Sequence, residues 1–402
     1  MTRRSPAREV ADIFREHGAT YRIAHRLPLA HLKVMHAITT CRTPHQGGHI
    51  ERCNSCGYER AVYHSCRNRH CPKCQNMTKA RWLQARLADL LPVRYFHTVF
   101  TLPHALNPLM LCNKEVLLAV LFKAVSQTLL AFGRNNLGGR LGFIAILHTW
   151  DQVLMDHFHL HCVVPAGAFA HDSSRWISSR SKGYLFPVRA LSRVFRGKFI
   201  ALLEQERRLG TLIFPGQAMA FGTPHGFARL IGVLRSQPWV VFSKQPFAGP
   251  EQVLDYLGRY THRVAISNHR IRGLDDNCVS FHYQDRRDNT RKVMTLEADE
   301  FIRRFLLHVL PQGFMRIRSF GFLANRSKKQ SLARIRELLA HIPRPDSGLK
   351  TPRALMLELT GIDIERCPSC GNGAMRVVVE FQPCHPGKVE SLPFYPAVLN
   401  SS

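Results

Sequence analysis

The chain has no run of roughly eighteen apolar residues free of charge, the minimum for a membrane-spanning helix. Its most apolar long stretch, Pro108 to Phe132, is interrupted by Asn113, Lys114, Glu115, Lys123 and Gln127. It reads as a buried or amphipathic helix, and no membrane partner is expected. The opening residues, MTRRSPAREVADIF, lack a continuous apolar core before a small-residue cleavage site. A secretory signal is therefore not expected, and a cytoplasmic, nucleoid-associated location is. No Gly-rich G-x-x-x-x-G-K-[ST] loop occurs, which argues against a P-loop nucleotide hydrolase. No internal repeat is visible, so a solenoid is excluded. Acidic residues are scarce: 28 Asp and Glu against 56 Lys and Arg, a net charge of +28 over 402 residues.

That imbalance points to a polyanionic partner, with nucleic acid first and an anionic membrane second. A hydrophobic content of 45% excludes a mainly disordered chain, and the length allows two or three domains with real cores. In a reducing compartment the 12 cysteines favour metal binding over disulfides.

The expected fold class is α+β. Residues 8–40 carry apolar positions at helical spacing and form an N-terminal helical segment, bounded at 1–40. Residues 41–91 are dense in Cys, His, Gly and Arg and poor in large aliphatics. They read as a small metal-dependent domain followed by a helix over 76–91. The span 92–326 mixes strands (93–102, 141–150, 158–164, 240–242, 263–267, 269–273, 278–283, 291–296) with helices (108–133, 187–209, 250–260, 297–308). A basic helix and linker cover 327–361, and a second Cys-rich unit with its tail covers 362–402.

Three C-x-x-C pairs occur, Cys53/Cys56, Cys71/Cys74 and Cys367/Cys370, where about 0.4 is expected by chance. Fourteen residues separate the first two pairs, close to the spacing of a four-cysteine zinc ribbon. Two-residue spacing lets both thiolates of a tight turn face one ion, and two turns complete a tetrahedron. Cys53, Cys56, Cys71 and Cys74 are thus the expected structural Zn2+ ligands. Cys41, His49, Cys66 and His70 could hold a second zinc, with His64 competing for a place. Cys367, Cys370, Cys384 and His385 form a third candidate set.

Histidines recur at His157, His159 and His161; three alternating histidines are expected about 0.07 times in such a chain. On a strand they share one face, while Phe158 and Leu160 turn to the other. With a hairpin turn near 153–154, His148 lies opposite His159 and becomes the preferred third ligand of a divalent ion, with Gln152 and His157 as alternatives. About a hundred residues on, Tyr256 and Tyr260 sit one helical turn apart, which places both phenols on one face. Arg259, Arg263 and Arg270 flank them and can steer phosphate.

Together these motifs resemble the rolling-circle, two-tyrosine transposases of bacterial insertion sequences, the branch of HUH nucleases related to the ISCR elements. The matching stretches are TCRTPHQGGHIERCNSCGYERAVYHSCRNRHCPKCQ, LHTWDQVLMDHFHLHCVVPAGA, YLGRYTHRVAISNHRI and RCPSCGNGAMRVV, in the family's order over about 41–380. The resemblance implies a zinc-binding DNA-recognition domain, then an HUH-type antiparallel sheet with helices. It implies His159 and His161 as ligands of Mg2+ or Mn2+, and Tyr256 and Tyr260 as nucleophiles that join 5′-phosphate. It implies single-stranded element ends and target DNA as partners. Phe158 stands where the family leads one to expect proline. Two other readings stay open on the residues alone: a plasmid replication initiator or relaxase of the same chemistry, and a non-catalytic zinc-finger DNA-binding protein.

Overall fold

The computed structural model describes residues 8–87, 89–180, 183–247, 252–253, 258, 265–285, 287–340 and 350–383. Three helices open the chain, α1 (Val10–Glu16), α2 (Gly18–Ala24) and α3 (Leu29–Thr39). A hairpin of β1 (Gly48–Cys53) and β2 (Glu59–Tyr63) follows, then α4 (Gln75–Leu87). Next come β3 (Tyr95–Thr101), α5 (Asn107–Cys112), α6 (Lys114–Phe132), β4 (Gly139–Arg140), β5 (Gly142–Trp150), β6 (Asp156–Pro165), β7 (Gly167–Ala170) and β8 (Trp176–Ser178). Helices α7 (Val188–Arg208) and α8 (Pro224–Ser236) lead to β9 (Val241–Phe247) and a meander of β10 (Ile271–Asp275), β11 (Cys278–Gln284) and β12 (Arg291–Glu297). The remainder is α9 (Ala298–Leu307), β13 (Ile317–Gly321), α10 (Lys328–Leu338), α11 (Pro352–Thr360) and β14 (Met375–Phe381). Helices and antiparallel sheets are thus mixed, as the α+β expectation required.

The chain divides into two compact units. One comprises Met1–Gln84, His262–Val309 and Ser347–Ser402; the other comprises Ala85–Thr261 and Leu310–Asp346.

The second unit is built on a five-stranded sheet in the order β13-β5-β6-β3-β9, with every neighbour antiparallel. Strand alternation gives the sheet one apolar face. Phe96 and Phe100 of β3, Phe143, Ala145 and Leu147 of β5, and Phe158, Leu160, Cys162 and Val164 of β6 all enter one core. Helices α6, α7 and α8 cover it. In α7, Leu191, Phe195, Phe199 and Leu203 recur at helical spacing, and Phe195 meets Phe100 edge-on at 5.2 Å. Each buried Phe stabilises by roughly 1.5–3 kcal/mol. Helix α6 is the one described helix long and apolar enough to cross a membrane by composition. Leu117, Leu118, Leu121, Phe122, Val125 and Leu129 are all buried in this core, which accounts for that composition.

The first unit has less apolar material. Its helices α1 and α9 meet through Phe14 and Phe305, ring centroids 5.3 Å apart. The main-chain N–H of Val10 donates to the Asn268 side chain at 3.3 Å. The expected catalytic span 92–326 is therefore not one body: His262–Val309, with β10 to β12 and α9, segregates with the N-terminal helices. The expected C-terminal unit is not separate either. Strand β14 pairs with β1, Cys53 opposite Met375 and Gly48 opposite Phe381, in a sheet ordered β14-β1-β2.

Most expected helices and strands are present within a few residues. Of the strand expected over 263–267, residues 265–267 are described and none belongs to a sheet: 265 and 266 are bent, and Ser267 is extended ahead of the turn at Asn268–Arg270. Strands β1 and β2 escaped notice because they are half-buried and polar, with no clean alternation. Helix α8 was masked by its Thr-Pro-His-Gly start. Those residues are an N-terminal cap, with the Thr223 hydroxyl accepting from the Gly226 N–H at 3.0 Å and Pro224 in the first turn.

Gly321 ends β13 at φ +65°, and a β-carbon there would fall on the carbonyl oxygen of Leu141. Gly313, at φ +74°, faces open space. Gly313→Ala should therefore cost only the left-handed backbone term, roughly 1–2 kcal/mol, and Gly321→Ala distinctly more. Urea denaturation of the two variants compares them, and equal losses would contradict the packing described.

Candidate active site and metal centres

Strand β6 lies in the middle of the five-stranded sheet, so both neighbours can supply side chains beside its own. His159 stands opposite Thr101 of β3 and opposite His148 of β5. His161 stands opposite Val99 and Ile146. Because Phe158, Leu160 and Cys162 point into the core, His159 and His161 share the other face. His148 joins them from β5: one ring nitrogen from each of the three lies within 4.8 Å of the others. All three are buried, at 4%, 5% and 7% exposure for His148, His159 and His161. The ring of Trp150 stacks on His148 with centroids 4.9 Å apart and holds it in place.

Hydrogen bonds fix the ring orientations. His159 Nδ1 lies 2.7 Å from the carbonyl oxygen of His157. A carbonyl only accepts, so Nδ1 carries the proton, and in the neutral ring Nε2 keeps its lone pair. His161 Nδ1 lies 2.9 Å from Nε2 of His97, buried on β3. The two rings stack with centroids 5.1 Å apart. When His161 donates this bond, its Nε2 is also a lone-pair donor. Such outer partners are typical of metal-bound imidazoles. The sequence reading missed His97 because nothing local marks it. It faces His161 only through the register, as the diagonal neighbour of the pair His97–Val163.

The turn joining β5 to β6 is tied by Asp151, whose Oδ1 accepts from the N–H groups of Val153 and Met155 at 2.9 and 2.8 Å. The register slips by one residue between His148–His159 and Trp150–Asp156, a bulge on β6. His157 falls there, half-buried, and contributes its carbonyl rather than joining the imidazole cluster. At the start of α6, burial pushes the Lys114 ammonium down to about 8, with Asp156 partly offsetting.

Tyr256, Tyr260, Arg259 and Arg263 lie outside the described residues. Of the helix expected over 250–260, Gln252, Val253 and Gly258 are described, and each is helical. Arg270 is described and belongs to the other unit. Its Nε donates to the carbonyl of His282 at 2.7 Å, and its guanidinium sits over the Phe281 ring, 5.5 Å from the centroid. It ties the chain to β11.

The cysteines form two groups of four, and neither is the set expected from spacing. Cys41, Cys66, Cys71 and Cys74 converge in one; Cys53, Cys56, Cys367 and Cys370 converge in the other. In the first, Cys41 and Cys66 lie 3.5 and 3.6 Å from the sulfur of Cys74. In the second, Cys53–Cys370 and Cys56–Cys367 are both 3.8 Å. Tetrahedral zinc with bonds near 2.3 Å sets its sulfurs about 3.8 Å apart. Hydrogen bonds from Cys66 and Cys71 bring the Cys41 thiol down to about 7. Main-chain N–H groups of Asn372 and Gly373 bring Cys370 down to about 6.

The pairing of Cys53/Cys56 with Cys71/Cys74 is therefore corrected: β1 turns the first knuckle toward β14, and Cys41 and Cys66 take the remaining places around the second. His49 and His70 are in neither group. His49 instead lies 3.4 Å from the Glu51 carboxylate. His70 follows a turn in which its N–H donates to Asn68. Cys384 and His385 lie outside the described residues.

A buried imidazole cluster on a central strand, with two groups of four cysteines in a strongly basic chain, fits the class of metal-binding proteins that handle polyanions. Comparison with known proteins narrows this. Residues 142–331, which contain the histidine cluster, match a family model described as "Putative transposase". Residues 13–102 match the "Transposase zinc-binding domain". The chain is 49% identical to the "Putative transposase y4qJ" of Sinorhizobium fredii, over 95% of this chain and 97% of that one. It is 29% identical to the "Transposase for insertion sequence element IS801" of Pseudomonas savastanoi pv. phaseolicola, over 79% of this chain and 76% of that one. No solved structure matches it. The chain belongs to this family, the insertion-sequence transposases that carry the zinc-binding domain, and it is a DNA transposase by class.

The hydrogen bond to the His157 carbonyl predicts one tautomer for His159. Long-range 1H–15N correlation of histidine-labelled, metal-free protein above its imidazole titration should show Nδ1 protonated. A ring protonated at Nε2 would refute the assigned orientation.

Proposed function

We propose that this chain is a rolling-circle transposase that nicks and joins single-stranded DNA at insertion-sequence ends through a 5′-phosphotyrosine intermediate. Tyr256 and Tyr260 are the nucleophiles, and His148, His159 and His161 are the ligands of a catalytic divalent cation. The observation that carries this reading is the convergence of three buried imidazoles on the central strand β6 and its neighbour β5.

The donor set fits such a cation. Three neutral imidazoles with hydrogen-bonded outer partners suit a transition metal, so Mn2+ is favoured over the oxygen-loving Mg2+. Bound there, the cation would polarise the scissile phosphate as a Lewis acid. His97 and the His157 carbonyl hold the ligand rings in orientation. A tyrosine oxygen forms a bond to phosphorus as its phenol proton leaves, and the bond from phosphorus to the 3′ oxygen breaks. The products are a 5′-phosphotyrosine and a free 3′-OH. Strand transfer reverses these changes on a second strand, so the stored ester needs no nucleotide hydrolysis. That accords with the missing P-loop. Two tyrosines allow two linked cleavages.

Arg259 and Arg263 supply phosphate contacts on this reading; Arg270 is left to its structural role. The zinc-binding domain recognises the DNA, and the +28 charge supplies the sequence-independent attraction. The sheet takes the part of an HUH-type catalytic fold. The work is done in the bacterial cytoplasm at the nucleoid. Relatedness to transposases, rather than to replication proteins, favours this over an initiator or relaxase.

Incubation with a single-stranded oligonucleotide carrying an element end and Mn2+ should give a protein–DNA adduct that survives a denaturing gel. Tyr256→Phe combined with Tyr260→Phe should abolish it. An adduct that persists in the double variant would overturn the nucleophile assignment.

His159→Ala with His161→Ala should abolish cleavage and leave most DNA binding, measured by filter retention. His97→Phe should weaken Mn2+ binding about 10- to 100-fold, as loss of an outer partner typically does. Calorimetric titration measures it, and unchanged affinity would remove His97 from the site.

A further inference from the structure

The first unit brings together four cysteines, Cys53, Cys56, Cys367 and Cys370, that their spacing does not pair. Two short segments, Cys53-Asn-Ser-Cys56-Gly57 and Cys367-Pro-Ser-Cys370-Gly371, share one turn. In each, the glycine N–H donates to the carbonyl of the first cysteine, at 3.2 Å for Gly57 to Cys53 and 3.0 Å for Gly371 to Cys367. Both glycines have positive φ, +72° and +70°, a conformation glycine adopts without strain. Main-chain N–H groups also reach the sulfurs, Ser55 to Cys53 at 3.4 Å and Gly373 to Cys370 at 3.3 Å. These are two copies of one Cys-x-x-Cys-Gly turn, of the kind found in zinc knuckles, facing each other across the β1–β14 pair. Asn54 ties them, its N–H donating to the Ala374 carbonyl at 3.1 Å and its side-chain oxygen accepting from the Ala374 N–H at 2.9 Å.

Apolar packing cannot hold this arrangement. The buried cluster beneath it consists of Cys53, Cys367 and Met375, with Tyr58 and Cys370 at its margin. Val377, Val378 and Val379 of β14 are exposed. A three-stranded sheet with so small a core needs another source of stability.

We propose that Cys53, Cys56, Cys367 and Cys370 bind one Zn2+ and that this ion clasps the C-terminal segment onto the N-terminal zinc-binding region. Cys41, Cys66, Cys71 and Cys74 bind a second ion independently. The zinc-binding region is then incomplete until the last knuckle has been made, and truncation after residue 340 leaves Cys53 and Cys56 without half their ligand set. Gly373 is a designed close approach: a β-carbon there would fall on the sulfur of Cys53.

The test uses the full-length chain. Metal analysis should give two zinc ions per wild-type chain and one for Cys367→Ser with Cys370→Ser. Cys71→Ser with Cys74→Ser should also keep one. Gly373→Ala should lose one ion while leaving every cysteine in place. Cobalt substitution of each double variant should keep the visible bands of one tetrahedral tetrathiolate site. Should the variants fail to fold, the wild-type protein still decides. Under graded chelation, alkylation mapped by mass spectrometry should show Cys53, Cys56, Cys367 and Cys370 losing protection together. Two ions retained in the Cys367/Cys370 variant would overturn the proposal. So would alkylation of Cys367 and Cys370 while Cys53 and Cys56 stay protected.

Discussion

Everything in the second unit depends on the register between β5 and β6. That pairing sets Leu147 opposite Leu160 and His148 opposite His159. A slip of one residue would turn Phe158, Leu160 and Cys162 out of the core and drive His159 and His161 into it. Burial of the apolar set against α6 and α7 therefore specifies the imidazole face. The geometry of the imidazole cluster is, in energetic terms, the reverse side of the hydrophobic core. The Asp151 turn and the bulge at His157 adjust only the end of the hairpin, where the sheet leaves regular pairing.

The three-stranded sheet of the first unit and the five-stranded sheet of the second are stabilised by different means. The second buries a long list of large aliphatic and aromatic side chains on one sheet face. In the first, the sheet of β14, β1 and β2 has almost no apolar core, and cysteine sulfurs occupy the positions where leucines would otherwise pack. This difference follows from composition. Residues 41–76 are poor in large aliphatics, so a sheet formed there requires ligands rather than packing.

Periodicity made much of this readable. The α7 stripe, the β5–β6 hairpin and the choice of His148 as partner of His159 all followed from strand and helix spacing. What spacing does not carry is long-range pairing. His97 is 64 residues from His161 and meets it only because β3 lies beside β6. The assignment of His262–Val309 to the first unit has the same origin, since nothing in a strand-rich meander reveals which helices it packs on. Nor does spacing show that the Arg270 guanidinium meets the His282 carbonyl and the Phe281 ring.

The cysteine groups show why the nearest spacing can lose. Closing the short loop between Cys56 and Cys71 would cost about 2 kcal/mol of chain entropy; bringing Cys53 to Cys367 across the intervening chain would cost about 5 kcal/mol were that chain unfolded. The difference of about 3 kcal/mol favours the local ribbon. It is small beside the roughly 10–16 kcal/mol that a structural zinc contributes, and folding of the intervening chain reduces it further. The choice of partner therefore passes to the main chain. Once β14 pairs with β1, the two matching knuckles face each other, and Cys71 and Cys74 are left to Cys41 and Cys66. Ligand spacing identifies the turns; strand pairing decides which turns share an ion.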